Sequence, residues 1–544
     1  MKKILVLVTA ILATAYAYCN NSCDPCETCS KQICFSKSSC VNEASFECNG
    51  NLFGKTFFSQ RPQDSNSVRR ILSRVNKIRF PFDDEENNKF DLTFEFQRTF
   101  NSENLGKWFF FNSSNCMTVG ISDSNNPFDI DGNQLGLSLG NNQTGLIGKI
   151  CAYPVIENFI IDVNSRFDLG KTRLWFSIDI PVVRTSIDLR LCASSKGTKK
   201  DNFAWGLFST DYTETKVPFV SIIDAFNGSV GFGDVPALKC GKFSCQKLTK
   251  TGVAGIHLDV GYDVVKNDDS YFATSIHVVA PTGNAPQSRW ILEPIIGANK
   301  SWQAGGTLEA YKIWKKTRNR KIGIYFYGVG THVFKSEQTR LFTLKNNCAG
   351  SQFLLLKQFN SLGTDIESAE RVANVLCGTT KIGADFMFDG SLMLQFSRNN
   401  LLFNIGYNFW IRTKEKRDNS ICLNGFDENK FGIKGTTLLS TTNEITCPEE
   451  TTLITPDLTT QSKTTISKRA DSDTTTTFVS CDDINFSTPL HPAAWSHKIF
   501  GSVGFNRSVS HHPVYFLVGA QAEFAQKNIA LNQWGIFTKL GIEF

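Results

Sequence analysis

Beyond its first residues, this chain has no run of about 20 consecutive apolar residues, the length a helix needs to cross a bilayer. A membrane assignment must therefore rest on strands. Histidine is scarce, with 7 residues in 544, and methionine scarcer, with 4. An excess of one charge is also missing. Lys plus Arg number 57 against 51 Asp plus Glu, a formal net charge of +6, and nothing points to nucleic acid. There is no Gly-rich phosphate loop, nucleophile elbow or His-Glu-x-x-His motif. These absences exclude helical transporters, nucleic-acid binders and the commoner hydrolase classes, and neither an enzyme, a cofactor nor a metal is expected.

Phenylalanine, by contrast, is abundant at 45 residues, although apolar residues make up only 41% of the chain. The last fifteen residues, Ala530 to Phe544, alternate strictly. Trp534, Ile536, Thr538, Leu540, Ile542 and Phe544 share one face, and Gln533, Gly535, Phe537, Lys539, Gly541 and Glu543 the other. A period of two is a half-buried strand. From Lys89 onward the pattern recurs, and about twelve strands can be counted, most longer than a soluble strand and long enough to cross a membrane at a tilt. Their polar faces carry charge in strand after strand, and Phe and Tyr gather near strand ends, as an aromatic girdle requires.

The connections alternate between short and long. The short ones, 508–513, 397–400, 315–320, 266–270 and 169–171, hold ordinary turn residues such as Asn399 and Asn400 or Gly170 and Lys171. The long ones are 101–156, 185–251, 283–299, 336–382 and 414–495, and a tight 527–529 is the exception. The fold class read from this is all-β: a transmembrane antiparallel β-barrel of about 12 strands over residues 89–544, with long extracellular loops and a cysteine-rich N-terminal segment. A chain ending in an aromatic closing strand resembles bacterial outer-membrane β-barrel proteins of the porin-like kind. That resemblance is architectural. It implies the bacterial outer membrane as location, membrane lipid and the barrel assembly machinery as partners, and Phe544 as part of an assembly signal.

Upstream, Lys2 and Lys3, the apolar run Ile4 to Leu12, and Ala15-Tyr16-Ala17 read as a signal peptide over 1–17. A lipoprotein anchor on Cys19 is disfavoured by the bulky Tyr16 and Tyr18. Residues 18–48 form a periplasmic segment with seven cysteines: 19, 23, 26, 29, 34, 40 and 48. After an export signal, disulfides are expected rather than a metal site at Cys23, Cys26 and Cys29. The odd count leaves one thiol for self-association or cross-linking between chains, an arrangement that resembles, in composition only, cysteine-rich envelope proteins of intracellular bacteria. Residues 49–88 are a lead-in or plug segment. Within it, Val68, Ile71, Leu72 and Val75 are spaced as on a helix with basic residues between them, and a surface helix is preferred here to a basic plug inside the barrel.

The remaining cysteines fall in the loops, none in a strand, and Cys116, Cys151, Cys240, Cys245, Cys348, Cys377, Cys422 and Cys447 are the disulfide candidates. Such bonds would staple loops that have little core of their own. Thr451 to Thr477, with eleven Thr, is expected to be disordered.

The residues assigned to the lumen are Asp91, Glu95, Asp162, Arg166, Arg173, Asp179, His257, Asp259, His277, Asp385, Asp389, Arg412, Lys498 and Lys539. Hairpin register about Asp268 sets Asp259 opposite His277 with His257 diagonal, a trio that could bind a metal or relay protons but is better read as lumen filling. Outer-membrane phospholipases resemble the chain in strand number and use a His and a Ser on the outer wall. His497 faces outward, but no Ser motif accompanies it. Proteases of the omptin type use rim carboxylates with a His, and no such group is evident. The function expected is a porin-like channel for passive diffusion of small hydrophilic solutes, with lumen charges setting selectivity. The alternative is a disulfide-cross-linked structural or adhesive surface protein with a closed barrel, and an outer-membrane hydrolase ranks third.

Overall fold

The computed structural model describes residues 54–65, 67–74, 88–111, 114–137, 146–197, 203, 208, 217–317, 320–360, 363, 365–418, 422–435, 460–509, 512–526 and 531–544. Twelve strands form one closed antiparallel barrel: β1 Lys89–Thr99, β2 Val155–Asp168, β3 Leu174–Asp188, β4 Ile256–Asn267, β5 Ser270–Ala280, β6 Gln303–Thr317, β7 Arg320–Leu341, β8 Cys377–Arg398, β9 Leu401–Arg412, β10 Ala494–Val509, β11 His512–Ala525 and β12 Gln533–Glu543. Each pairs with its sequence neighbour. The terminal strand closes the ring on the first, with Phe90 opposite Ile542 and Phe94 opposite Thr538.

Strand parity decides what each side chain meets. Phe90, Phe94, Phe159, Leu258, Leu394, Ile405, Ile536 and Leu540 stand exposed on the outside, whereas Asp91, Glu95, Asp162, Asp259, Gln395, Asn404 and Lys539 are buried in the lumen. An exterior this apolar is built for lipid. Inside, bulky rings lie over glycines of the next strand. Trp175 is opposite Gly261 and Tyr515 opposite Gly541, and a Cβ on either glycine would run into the ring.

Parity fails at two expected lumen positions, each for a local backbone reason. Arg173 sits in the turn between β2 and β3 with φ of 60°, which swings it out to solvent. Asp385 lies where the β7–β8 register shifts between Val333 and its neighbours, so that Asp385 and Phe386 both point outward, and Asp385 pairs with Lys416. Neither belongs to the lumen. A further irregularity between Ile313 and Lys315 breaks the less regular strand β6.

The long connections do not hang loose. They build a cap over one end of the barrel, resting on β7 and β8, which run 22 residues each. Cys116–Val119, Ile147–Ala152 and Leu191–Lys196 form one small sheet. Leu355–Phe359 pairs with both Asp365–Arg371 and Phe431–Ile433 in another. Trp108, Phe110, Met117, Ile150, Phe226, Phe342, Leu354 and Ile484 fill a shared apolar core. The loops therefore have a core of their own, contrary to expectation, because segments far apart in sequence supply it jointly. The Thr-rich stretch is also corrected. From residue 460 onward it is packed, with Thr460 and Thr464 buried and Ile466 in the cap core, since a buried apolar residue and its neighbours outweigh local composition. Residues 451–459 lie outside the described residues.

Disulfides join Cys116 to Cys151, Cys240 to Cys377 and Cys422 to Cys481. Cys348 is also bonded. Cys245 is a thiol rather than a bridge residue, because Cys240, five residues before it, is taken by Cys377 from another loop. Cys481 was not among the candidates. Cys116, Cys151 and Cys192 lie on cap strands and Cys377 opens β8, so the rule that cysteines avoid strands holds only for the lipid-facing part of the barrel. Cys447, Cys19 to Cys48 and the signal peptide lie outside the described residues.

The Cys240–Cys377 bridge closes a sequence separation of 137 residues. Replacing both by Ser is expected to cost about 2–4 kcal/mol. Limited proteolysis should then cut the cap faster, while the heat-dependent gel shift of the folded barrel persists.

Candidate functional site: the plugged lumen

The lumen is occupied by the segment described at residues 54–65 and 67–74 of the chain itself, whose first residues reach into the cap. Gly54 lies against Phe111 and Ala349 in the cap, and the Lys55 amide donates to the Trp108 carbonyl at 3.1 Å. Trp108 Nε1 donates to the Phe57 carbonyl at 2.9 Å, and the Phe58, Trp108 and His491 rings pack together. Burial, with the Arg412 guanidinium beside it, holds His491 well below its ordinary pKa. His491 Nδ1 lies 2.8 Å from Arg412 Nη2 and 2.9 Å from the Pro492 carbonyl, and Arg412 Nη1 donates to Ser59 at 2.5 Å. The segment then descends through the barrel as far as Arg74, which pairs with Glu309 near the short-turn end.

A short helix, α1 (Ser67–Leu72), forms at mid-lumen. Its three apolar residues fall on one side by helical spacing and join Tyr325, Tyr327, Met393 and Phe537 in a lumen cluster. Asp389 of β8 accepts from the Ser67 amide at 3.2 Å and from its hydroxyl at 2.5 Å. The wall thus supplies the acceptor that a helix start needs. The expectation of a surface helix is therefore overturned. Its basic residues face carboxylates inside the barrel, not water.

Each arginine of the plug has its own acid partners. Arg61 meets Asp389 at 2.9 Å and Glu523 at 3.1 Å. Arg69 meets Asp162 at 2.7 Å and Glu95 at 3.0 Å. Arg70 lies 3.3 Å from Asp179 and 3.4 Å from Asp259, and donates to Ser177 at 3.1 Å. Arg61, Arg69 and Arg70 and all these carboxylates are buried. An ionised group out of water must be paired and hydrogen-bonded, and arginine, which keeps its charge, suits that setting.

The other expected lumen residues are mostly committed within the wall. Asp91 accepts from the Tyr515 hydroxyl and lies 4.0 Å from Lys539. Arg166 pairs with Asp263 at 3.0 Å and stacks over Trp175. Lys498 pairs with Glu523 at 3.3 Å. His277 Nδ1 contacts Asp259 at 2.6 Å, and its Nε2 lies 3.3 Å from His257 Nδ1. Asp259 and His277 are opposite in register. The far side of His257 faces Asp64 of the plug at 3.6 Å. The trio is therefore a linear chain from wall to plug, not a set of ligands converging on one point. Among the described residues, one group of metal-ligand type does converge, Cys422, Glu428 and Cys481, but its two sulfurs are joined to each other. His497 stands on the outer wall beside Tyr407, which it contacts.

Arg69 and Arg70 lie in the basic stretch weighed above as a plug, whereas Arg61 and Asp64 of the plug and Glu309 of the wall were not singled out from sequence. One signal pointed to them. Acids outnumber bases on the inward faces of the first strands, and a basic stretch of helical rather than strand period precedes β1.

No protein-family model and no curated protein matches the sequence. Solved structures with a similar course include an outer-membrane channel from Pseudomonas putida F1, at 9% identity and TM-score 0.33 over 86% of this chain and 99% of that one. A Pseudomonas aeruginosa FadL homologue aligns at 8% identity and TM-score 0.25, over 90% and 96%. The translocator domain of the autotransporter NalP from Neisseria meningitidis aligns at 6% identity and TM-score 0.29, over 88% and 94%. The likeness is to barrel architecture, and function rests on this chain's own residues.

Asp389 and Asp385 give a direct contrast. Asp389→Asn leaves Arg61 and the start of α1 short of a buried charge and is expected to cost about 3–5 kcal/mol. Thermal unfolding should show the loss, and protease should gain access to residues 54–74. The exposed Asp385→Asn should change neither.

Proposed function

We propose that this chain is a bacterial outer-membrane channel for passive diffusion of small hydrophilic solutes, held shut in the state described by its own N-terminal segment. One observation carries the reading. Among the described residues, the ion-pair partners of Glu95, Asp162 and Asp389 are arginines of the plug, not bases of the wall. A twelve-stranded barrel built only as an anchor could fill its lumen from its own strands. Here the strands instead present carboxylates to a separate segment, and without it they would face water. Phe544 stands exposed at the end of β12, where the assembly machinery could read it.

A second reading is favoured by the cap. A surface structural protein would need a rigid outer face, and the loops form one, with a shared core and the inter-loop disulfide Cys240–Cys377. We infer that the odd thiol among Cys19 to Cys48 cross-links copies of the chain. High-mass species should then appear on non-reducing gels of whole envelopes and vanish on reduction. Their absence without reductant would sink this cross-linking.

Planar bilayers separate the two. The full chain is expected to be nearly silent, and Arg69→Gln with Arg70→Gln to raise the conductance by at least about tenfold. Ser67 and Ser391 have hydroxyls 2.8 Å apart. Oxidising Ser67→Cys with Ser391→Cys on that background should bolt the plug in place and return the current to baseline. No current from the folded double-Gln protein would overturn the channel reading.

A further inference from the structure

We propose that the opened lumen selects cations, with small monovalent or organic cations as its solutes; this rests on the channel reading above. Bases of the wall are mostly engaged with acids of the wall, and Arg412, which also donates to Ser59 of the plug, has Glu415 just past β9 at 4.0 Å. Lys89 lies 3.3 Å from Glu543, Arg166 3.0 Å from Asp263, Lys498 3.3 Å from Glu523, and Lys539 4.0 Å from Asp91. Glu95 on β1 and Asp162 on β2 are adjacent in the barrel, and Asp389 stands on β8. All three receive their cationic partners from Arg61 and Arg69. Displacing the plug therefore removes positive charge from the lumen while its strands keep every carboxylate.

The vacated wall is also suited to hydrated cations in its other groups. Gln97 and Gln521 donate to Glu95, and Asn408 and Ser67 to Asp389. When Ser67 leaves with the plug, the wall amides still hold Glu95 and Asp389 in place, aimed inward. A low-dielectric wall around fixed charge of one sign concentrates counter-ions, raising their local concentration by about tenfold or more. The arginines of the plug then act as stand-ins for the ions that would replace them. They occupy the carboxylates in the closed state as a permeant cation would in the open one.

The test uses the full chain carrying Arg69→Gln and Arg70→Gln in planar bilayers, with the reversal potential measured in a KCl gradient. The expected result is a potassium-over-chloride permeability ratio of roughly tenfold. Adding Asp162→Asn with Asp389→Asn should bring that ratio toward one, while Asp162→Glu with Asp389→Glu should keep it. A current that prefers chloride, or a ratio indifferent to the Asn pair, would overturn the selectivity and leave the channel reading standing. Absence of current from barrels that show the folded gel shift overturns both.

Discussion

The structure depends on the pairing of buried arginines with buried carboxylates across the gap between plug and wall. Asp162, Asp389 and Glu523 are almost wholly withdrawn from solvent. Left alone, each would carry a desolvation cost of several kcal/mol. The same is true of Arg61 and Arg69 without their acids, and arginine cannot escape by losing its proton. The two sets therefore require each other. Because Arg61, Arg69 and Arg70 reach different strands, the pairs also fix the depth and rotation of the segment. A plug shifted by one residue would present Val68, now clustered with Tyr325 and Tyr327, to carboxylates. Such pairs add little net stability over apolar packing, but they penalise every other register.

The cap extends the same logic with different chemistry. Phe57 and Phe58 lie under Trp108 and His491, so the segment is gripped at its upper end by apolar contact and below by charge. The hairpin of β7 and β8 carries barrel geometry up into the cap, where Leu341 pairs with Cys377. Cys240 is bonded to that same Cys377. The loops, the tallest strands and the plug are thus coupled, and a change at the top of the plug has a mechanical route to the cap.

Much of the barrel was legible because period two survives wherever one face meets lipid and the other does not. The twelve strands, the long-short alternation and the Asp259–His277 register all follow from that pattern. The misreadings occur where a local event resets parity. The positive φ at Arg173 and the register shift beside Asp385 turn those side chains outward, and neither leaves a mark in composition. Cys245 and the Thr-rich stretch fail for another reason. Their fate depends on partners far away in sequence, Cys377 in one case and the cap core around Ile466 in the other. The basic helix was visible, but a helix with arginines between apolar positions looks the same whether its charges meet water or buried acids.

The lumen is divided between two kinds of surface, and α1 matches both. Tyr271 and Tyr311 stack with ring centres 5.4 Å apart, Tyr325 continues the row, and with Tyr327 and Met393 they give β5 to β8 an aromatic and apolar patch beside Glu309 and Asp389. Glu95, Asp162, Asp179 and Asp259 give β1 to β4 an acidic one. Val68, Ile71 and Leu72 answer the first, and Arg69 and Arg70 the second. An amphipathic helix here faces a barrel that is itself amphipathic across its bore. The tyrosine side can stay packed on its own residues when the helix leaves, but the acidic side cannot stay uncompensated. Whatever replaces the plug must therefore bring positive charge to β1 to β4 and to Asp389 on β8, and that demand is set by the wall rather than by the segment that meets it in the closed state.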